Sequence, residues 1–188
     1  MEYISADHIA AVGGNGAFEP QRTNNFTVRF SPPQNIRAGG RGGVAAQDII
    51  ALSVDSCPFP ESTADVIEVP FGNEVRKVSG RWKFSNETLV VKDYVGAEVS
   101  DIIDAWARLV YDPNPGPTAG RIGYAHEYKV NGELLFFGPD GQQIRRWKLI
   151  GMWPMRVKPG QGDMNQGNTQ NKMEIEFCVD KAVYAGRG

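Results

Sequence analysis

The chain has 188 residues, and its 20 Lys and Arg nearly balance its 22 Asp and Glu, which leaves a formal net charge of −2. This balance argues against a nucleic-acid-binding protein that relies on net positive charge. Hydrophobic residues make up 41% of the chain, enough for the core of a single domain. No apolar run approaches the roughly 18–20 residues that cross a bilayer. Acidic residues stand where a secretory signal carries Lys or Arg, so we expect neither membrane insertion nor a signal peptide.

Frequent glycine and proline, 22 and 12 residues, divide the chain into short segments, which is typical of a β-rich fold with long loops. Residues 4–12 have the apolar spacing of a short helix. Residues 25–30 alternate, with Phe26, Val28 and Phe30 on one face, which predicts a half-buried strand.

Alternation also predicts strands at residues 48–55 and 88–92. The segment between them, residues 59–80, holds short apolar pieces among charges and is predicted to be an extended excursion outside the core. The residues expected to share a face are Ile50, Leu52 and Val54 in the first strand and Leu89 and Val91 in the second.

One segment is clearly helical, because its apolar residues recur at helical spacing and form a single stripe. Pro113 and Pro115 end this helix. The stripe consists of Val99, Ile102, Ile103, Trp106, Leu109 and Val110.

Turn signals are strongest in the C-terminal third. Asn131-Gly132 is predicted to join strands at residues 124–130 and 133–137 as a two-residue hairpin turn. Residues 139–141, Pro-Asp-Gly, make the next turn, and residues 145–153 alternate as a further strand.

The last predicted strand, residues 173–183, has the cleanest alternation in the chain. Its outward residues form an acidic face that also carries a cysteine. The inward residues are Met173, Ile175, Phe177, Val179 and Val183, and the outward residues are Glu174, Glu176, Cys178 and Asp180.

Strands, then one helix, then more strands predict a mainly β fold of the α+β class. The expected architecture is an antiparallel β-sandwich or small barrel with one packed α-helix. We expect a single domain over residues 1–188, with long polar loops at residues 37–44, 112–121 and 158–172.

No motif in the sequence indicates catalysis. The glycine clusters at residues 13–16 and 39–43 do not lie between a strand and a helix, and no Gly-Lys-Ser/Thr follows them, so flexible loops are favoured over a phosphate site. His8 and His126 stand in no recognisable arrangement with a nucleophile. A zinc site would use all 2 Cys and 2 His at a spacing that fits no ligand pattern. We therefore expect no enzymatic activity, no cofactor and no metal.

The four tryptophans are expected to serve packing rather than ligand binding. Trp106 lies on the helix stripe, and Trp147 and Trp153 share the inward face of their strand. Trp82 stands between Arg81 and Lys83, and both core packing and a platform for a sugar or a base stay open for it.

Cys57 and Cys178 both fall on the polar sides of their predicted strands, and two interpretations stay open. They are ordinary free thiols, or they form a disulfide within one subunit or between neighbouring subunits. Neighbouring carboxylates raise the pKa of a thiol and slow its oxidation, which counts against the disulfide.

Four segments carry a family resemblance. Residues 24–30 read Asn-Asn-Phe-x-Val-x-Phe, residues 104–106 place Asp-Ala-Trp within the helix, residues 147–154 end in Gly-x-Trp-Pro, and residues 179–180 place Val-Asp near the end of the last strand. In these segments, and in the order of elements over nearly the whole chain, the sequence resembles the tail-tube protein family of contractile-tailed bacteriophages, which is related to the tubes of contractile injection systems. The signature residues expected in the core are Trp106, Trp147, Gly151, Trp153 and Pro154.

The resemblance implies a structural role. Members of the family close into hexameric rings whose strands complete a larger inner barrel, and the rings stack into the inner tail tube that conducts DNA into the host during contractile ejection. The implied partners are further copies of the chain, the tail sheath, baseplate and terminator proteins, and the tape-measure protein followed by genomic DNA in the lumen, without sequence-specific binding. The implied location is the virion tail, assembled in the bacterial host cytoplasm. The loop at about residues 58–80 is expected to reach the next ring.

A wall that conducts DNA should not bind it, so a bore poor in Lys and Arg is expected. Glu174, Glu176 and Asp180 are the candidate acidic surface, which lines either the lumen or the outer face. Two other functions stay open. One is a tube or baseplate tube-initiator protein of a secretion or extracellular contractile injection system. The other is a monomeric β-sandwich that binds a ligand or acts as an enzyme.

Overall fold

A computed structural model describes residues 22–33, 36, 45–94, 96, 98–117, 119–162 and 170–186. The predicted helix at residues 4–12, both glycine clusters and the loop at residues 37–44 lie outside the described residues. The elements in chain order are β1 (Phe26–Phe30), α1 (Ala46–Ser53), β2 (Val54–Ser56), β3 (Ser62–Phe71), β4 (Glu74–Phe84), β5 (Glu87–Lys92), α2 (Glu98–Val110), α3 (Ala125–Tyr128), β6 (Val130–Phe137), β7 (Gln143–Lys158), β8 (Lys172–Cys178) and β9 (Lys181–Tyr184).

Seven of the strands form one antiparallel sheet in the order β1-β6-β7-β8-β5-β2, with β9 added against β7. The long strand β7 runs through the middle of the sheet and joins its two halves. Its first part pairs with β6 and β9, and its second part pairs with β8. We call β1, β6, β9 and the first part of β7 the first half-sheet, and the second part of β7 with β8, β5 and β2 the second half-sheet. The sheet curls into a half-barrel, and the predicted mainly β class is confirmed.

Helix α2 closes the core on one face of the curled sheet. Trp106 is fully buried, and its ring lies 5.5 Å from that of Phe30 and 5.4 Å from that of Phe177. Its indole N–H donates a hydrogen bond of 2.7 Å to the backbone oxygen of Tyr128, so the polar edge of the ring is satisfied. Because Phe30 and Phe177 lie in different half-sheets, Trp106 joins both ends of the half-barrel. The helix prediction and the core role of Trp106 are confirmed.

Gly151 forms the corner of β7 between the two half-sheets. Its φ of +68° lies in the left-handed region, where residues with a Cβ are strained. A methyl group here would overlap Asp180 Oδ2 and lie 2.6 Å from Asp180 Cγ. The Gly151 N–H donates to Asn131 Oδ1 at 3.1 Å, and Asp180 accepts a hydrogen bond from Lys129 Nζ at 2.7 Å. Glycine therefore lets the chain after β8 pack against the bend.

The predicted strand at residues 48–55 is wrong for most of its length, because Ala46–Ser53 is helix α1. Ile50 is buried whereas Leu52 is 78% exposed, so the two do not share a face. The helix buries Ser53 as well, and its hydroxyl donates to the Ile49 oxygen at 2.6 Å. The sequence holds both an alternating and a helical apolar pattern here, and tertiary packing selects the helical one.

The predicted Asn131-Gly132 hairpin turn is also wrong, because both residues lie inside β6. Glycine is required here by a close approach rather than by a turn: a Cβ would lie 3.2 Å from Met152 Sδ and 3.2 Å from Phe30 Cβ. The preceding segment is helix α3, not a strand. His126 is exposed on this helix, with its ring 5.8 Å from that of Tyr124.

The alternation of the last predicted strand is confirmed at its buried residues, but the strand is not continuous. It breaks at residues 179–180 into β8 and β9. The Asp180 N–H donates to the Ile150 oxygen at 3.0 Å, which carries the chain across the β7 corner and into the first half-sheet. The prediction for Val183 is wrong, because Val183 lies opposite Lys148 on the face that points away from the core. The buried residues of the predicted inward set are Met173, Ile175, Phe177 and Val179.

No helix among the described residues has the length and apolar character needed to cross a membrane.

Candidate assembly surfaces

Strands β3 and β4 form a hairpin that stands apart from the seven-stranded sheet. They pair with each other and, within the described residues, with no strand of the main sheet. Gly72, with φ of +62°, and Asn73 make the two-residue turn between them. The predicted excursion outside the core is confirmed, although it is a regular hairpin rather than a loop. An isolated two-stranded hairpin is marginally stable in water, so this one needs a covering partner.

Both faces of the β3–β4 hairpin carry exposed apolar side chains. Directly paired residues share a face, so the register places Ile67 with Val78 on one face and Val66 with Ser79 on the other. Val66 is 62% exposed and Ile67 is 52% exposed. The first face holds Ile67, Val69, Phe71 and Val78, and the second holds Val66, Pro70, Val75 and Trp82.

This two-sided apolar character separates the hairpin from an ordinary solvent-facing ribbon. An antiparallel ribbon with one solvated face shows one apolar face and one polar face. On the second face the ion pair between Lys77 and Glu68, 3.6 Å apart, is accompanied mainly by apolar residues. Trp82 is 62% exposed on that face, so the structure places it outside the core. Apolar side chains on both faces are typical of a strand buried on both sides.

The base of the hairpin rests on a buried carboxylate, Glu87, on the core side of β5. Glu87 is 7% exposed. Its Oε1 accepts a hydrogen bond of 3.3 Å from the Glu61 N–H, and the Glu61 oxygen accepts one of 3.0 Å from the Ser85 N–H. The pKa of Glu87 is raised to about 7, chiefly by burial; the hydrogen bond from the Glu61 N–H lowers it, and the charge of Glu61 raises it.

We predict that this carboxylate makes the subunit less stable at pH 8 than at pH 5. The folded pKa of about 7 lies above the ordinary value of 4.5, so between these values the folded chain binds the proton that the unfolded chain has lost. The contribution of protonated Glu87 to the stability of the subunit is therefore present at low pH and is lost as pH rises through about 7. Glu87→Gln should raise the free energy of unfolding at pH 8, measured in urea, and leave it nearly unchanged at pH 5.

The exposed Glu68→Gln change is the matched control and should leave the difference between the two pH values intact. If Glu87→Gln shows the same loss of stability from pH 5 to pH 8 as the unsubstituted chain, Glu87 is not the group responsible.

Three strands of the sheet, β1, β9 and the short β2, each pair with a single neighbour within the described residues. The edges of the first half-sheet are β1 and β9. Exposed edges invite pairing with another chain. At the β9 edge the Tyr184 ring is exposed and lies 5.0 Å from the half-buried Trp147 ring. The indole N–H of Trp147 is buried with no acceptor among the described residues. The β9 edge therefore has an exposed aromatic ring and an unsatisfied buried N–H, two features that are unusual for a finished protein surface.

The remaining signature residues lie at or near the β7 corner. Pro154 is buried opposite Phe177. Trp153 is half-buried, with its ring 5.7 Å from that of Tyr128. Together with the full burial of Trp106 and Gly151, these positions give the signature a packing role at the joint of the two half-sheets.

The acidic residues predicted as one surface are partly separated and are all paired. Glu174 and Glu176 share the face of β8 that points away from the core, whereas Asp180 lies at the β7 corner. Lys158 Nζ donates to Glu174 Oε2 at 2.6 Å, and this bond lowers the pKa of Glu174. Asn86 Nδ2 donates to Glu176 Oε1 at 3.1 Å. Of the three carboxylates, Glu174 and Asp180 are therefore ion-paired, whereas Glu176 is hydrogen-bonded to a neutral amide.

Cys57 and Cys178 are both free and half-buried in the single chain. Burial raises the pKa of the Cys57 thiol to about 12, and the charge of Glu87 adds to this effect. Burial, followed by the charge of Asp180, also raises the pKa of Cys178. Both thiols are therefore poor nucleophiles at neutral pH. A disulfide in the assembled state stays a prediction.

Among the described residues, no group of three or more His, Cys, Asp or Glu side chains is placed to hold a metal ion. A cavity of about 640 Å³ opens beside Cys57 between β1, β2 and β6. Its apolar lining includes Phe26, Phe59 and Phe136, whose rings stack in series at 5.9 Å and 4.6 Å.

Comparison with solved structures gives matches over almost the whole chain. A chain from the sheath–tube complex of an extracellular contractile injection system, PVC, matches with a TM-score of 0.62 at 15% identity, covering 98% of this chain and 99% of the other. A chain of the PVC sheath/tube terminator matches with a TM-score of 0.64 at 14% identity over 90% and 99%. A chain of the anti-feeding prophage baseplate matches with a TM-score of 0.60 at 15% identity over 89% and 96%.

No protein-family model and no curated protein matches the sequence. The structural likeness is therefore one of fold. The chain has the fold of the tube proteins of contractile injection systems, as the sequence resemblance predicted.

Proposed function

We propose that this chain is the subunit of a hollow tube in a contractile injection apparatus. Six copies close into a ring, and the rings stack. The observation that carries this proposal is the near end-to-end match to a chain of a sheath–tube complex, with 98% and 99% of the two chains covered. The role is structural, with no catalytic residue and no cofactor.

The free strand edges support ring closure. Pairing of β1 of one copy with β9 of the next would extend the first half-sheet around the ring and remove both edges. The neighbouring copy would then cover the exposed ring of Tyr184, which lies against Trp147. The sixfold number agrees with the sixfold symmetry applied to the anti-feeding prophage baseplate, whose chain shares this fold.

The β3–β4 hairpin supports the stacking of rings. We infer that it inserts between two other copies of the chain, one against each apolar face, and that it is the inter-ring element of a single-domain subunit over residues 1–188. Burial of these side chains at about 25 cal/mol per Å² of apolar surface would supply much of the association energy.

The relatives come from sheath–tube, terminator and baseplate assemblies of injection systems. Sheath, baseplate and terminator proteins of such an apparatus are therefore the proposed partners. The second candidate is the tail tube of a phage virion, with a tape-measure protein and then DNA in its lumen, because the signature segments resemble that family. Capsid genes beside the coding sequence would favour the phage tail, and their absence would favour an injection system.

Negative-stain electron microscopy of the purified chain tests the proposal. We expect rings or stacked tubes at high protein concentration. A monodisperse monomer at every concentration, together with ligand binding or substrate turnover, would support the monomeric β-sandwich instead.

A further inference from the structure

Three exposed cations lie on the face of the first half-sheet that points away from the core. They are Arg29 on β1, Lys148 on β7 and Lys181 on β9. The register places Glu133 between Arg29 and Lys148, but Glu133 forms its ion pair with Arg146. None of the three cations has an ion-pair partner among the described residues.

In the second half-sheet, three of the outward cations form ion pairs within the chain. Lys158 pairs with Glu174 at 2.6 Å, while Lys92 and Lys172 share Asp55 at 3.3 Å and 2.6 Å. These pairs lower the pKa of Asp55, with the Lys172 bond as the largest cause. Arg156 also lies on this outward face, directly opposite Glu176 in the register. Carboxylates therefore offset most of the positive charge in the second half-sheet, whereas the three cations of the first half-sheet stay unpaired, in a chain whose net charge is −2.

The surface of the first half-sheet also has a concavity that could hold a ligand. This concavity of about 460 Å³ is flanked by Arg29 and Lys148. Asn131 and Ser31 add polar groups to the lining, and Ile150 adds an exposed apolar side chain. Glu133 also lines the cleft, but its charge is paired with Arg146. The two unpaired cations, the neutral hydrogen-bonding groups and the apolar surface therefore match an extended segment with carboxylate side chains.

We propose that this cationic face binds an acidic segment of another protein. A single-stranded nucleic acid is disfavoured, because the described residues of the face offer no exposed aromatic ring on which bases would stack. The inference rests on the proposed tube, in which β9 of one copy adjoins β1 of the next. Lys181 would then approach Arg29 of the neighbouring copy, and the three cations would repeat as a continuous belt around the ring.

Poly-L-glutamate is the probe, and its affinity for the full-length chain is measured by fluorescence anisotropy at low and moderate salt. We expect salt-dependent binding that weakens about tenfold, the equivalent of 1.4 kcal/mol, in the variant R29Q/K148Q/K181Q. The variant K92Q/K158Q/K172Q is the matched control, because it removes the same charge from the internally paired half. It should bind within about twofold of the unsubstituted chain.

Equal weakening in both variants would mean that net charge rather than this face governs binding, and would overturn the proposal. Duplex DNA that binds as tightly as poly-L-glutamate, with the same dependence on the three cations, would overturn the assignment to an acidic protein. Sedimentation of the same samples reports assembly separately. Tubes that form without binding the probe would contradict this inference alone, whereas binding without tubes would contradict only the proposed tube.

Discussion

A single carboxylate on either face of the β3–β4 hairpin is expected to abolish tube assembly while leaving the subunit folded. Val66 and Ile67 are adjacent in sequence, are 62% and 52% exposed, and point to opposite faces. Val66→Asp and Ile67→Asp each bury an unpaired charge if that face is covered in the tube, which costs several kcal/mol at every repeated contact. Pelleting of assembled tubes and electron microscopy measure the loss.

Conservative changes at the same positions, Val66→Ile and Ile67→Val, are the controls and should leave assembly intact. Thermal unfolding of the unassembled subunit should be nearly unchanged in all four variants, because the hairpin stands apart from the main sheet. Loss of assembly with only one of the two Asp variants would contradict coverage on both faces. Normal assembly with both would remove the hairpin from the interface.

Gly151→Ala is expected to destabilise the subunit strongly. Alanine at a left-handed φ costs about 1–2 kcal/mol, and overpacking adds about 1–3 kcal/mol. The added methyl group would displace the Asp180 side chain, whose contact with Lys129 Nζ is 2.7 Å. We expect a loss of about 3–5 kcal/mol in the free energy of unfolding by urea, a large share of the usual stability of a domain.

Gly72→Ala provides the matched control, since Gly72 also has a positive φ, +62°, but no atom lies within 4 Å of an added Cβ. It should cost only the backbone strain, about 1–2 kcal/mol. Adding Asp180→Ala to Gly151→Ala should recover part of the difference through relief of the overlap. Equal costs at the two glycines would show that the contact with Asp180 does not constrain the β7 corner.

Elements with one buried face were predictable from the sequence. Helix α2 and strands β1, β5 and β8 each bury a single stripe, so their hydrophobic period reports their structure directly. Helix α1 was not predictable in this way, because its apolar residues satisfy two periods. The Asn-Gly dipeptide at Gly132 is a typical turn signal. In the structure, however, glycine is needed at this position because the strand packs closely against Phe30 and Met152.

The sequence of the β3–β4 hairpin contains a pattern that a search for alternating apolar residues misses. Its apolar residues run consecutively at Val66 and Ile67, which is typical of a strand buried on both faces. Gly72-Asn73 is a two-residue hairpin turn signal. Together these patterns indicate a ribbon that is covered on both sides in an assembly.

The charge arrangement was beyond sequence reasoning, because it depends on strand register. Glu174 appears acidic in the sequence, yet Lys158 neutralises it across the sheet from 16 positions away. Asp55 meets Lys172 from 117 positions away. Such pairings, and the unpaired cations of the first half-sheet, follow only from the fold.

A cryo-electron microscopy map of the assembled protein tests the central claim most directly, namely that this subunit is completed by copies of itself. We predict stacked sixfold rings in which β1 and β9 of neighbours are paired and both faces of the β3–β4 hairpin are buried against other copies. Rings in which β1 and β9 stay unpaired and the hairpins stay exposed to solvent would contradict the account.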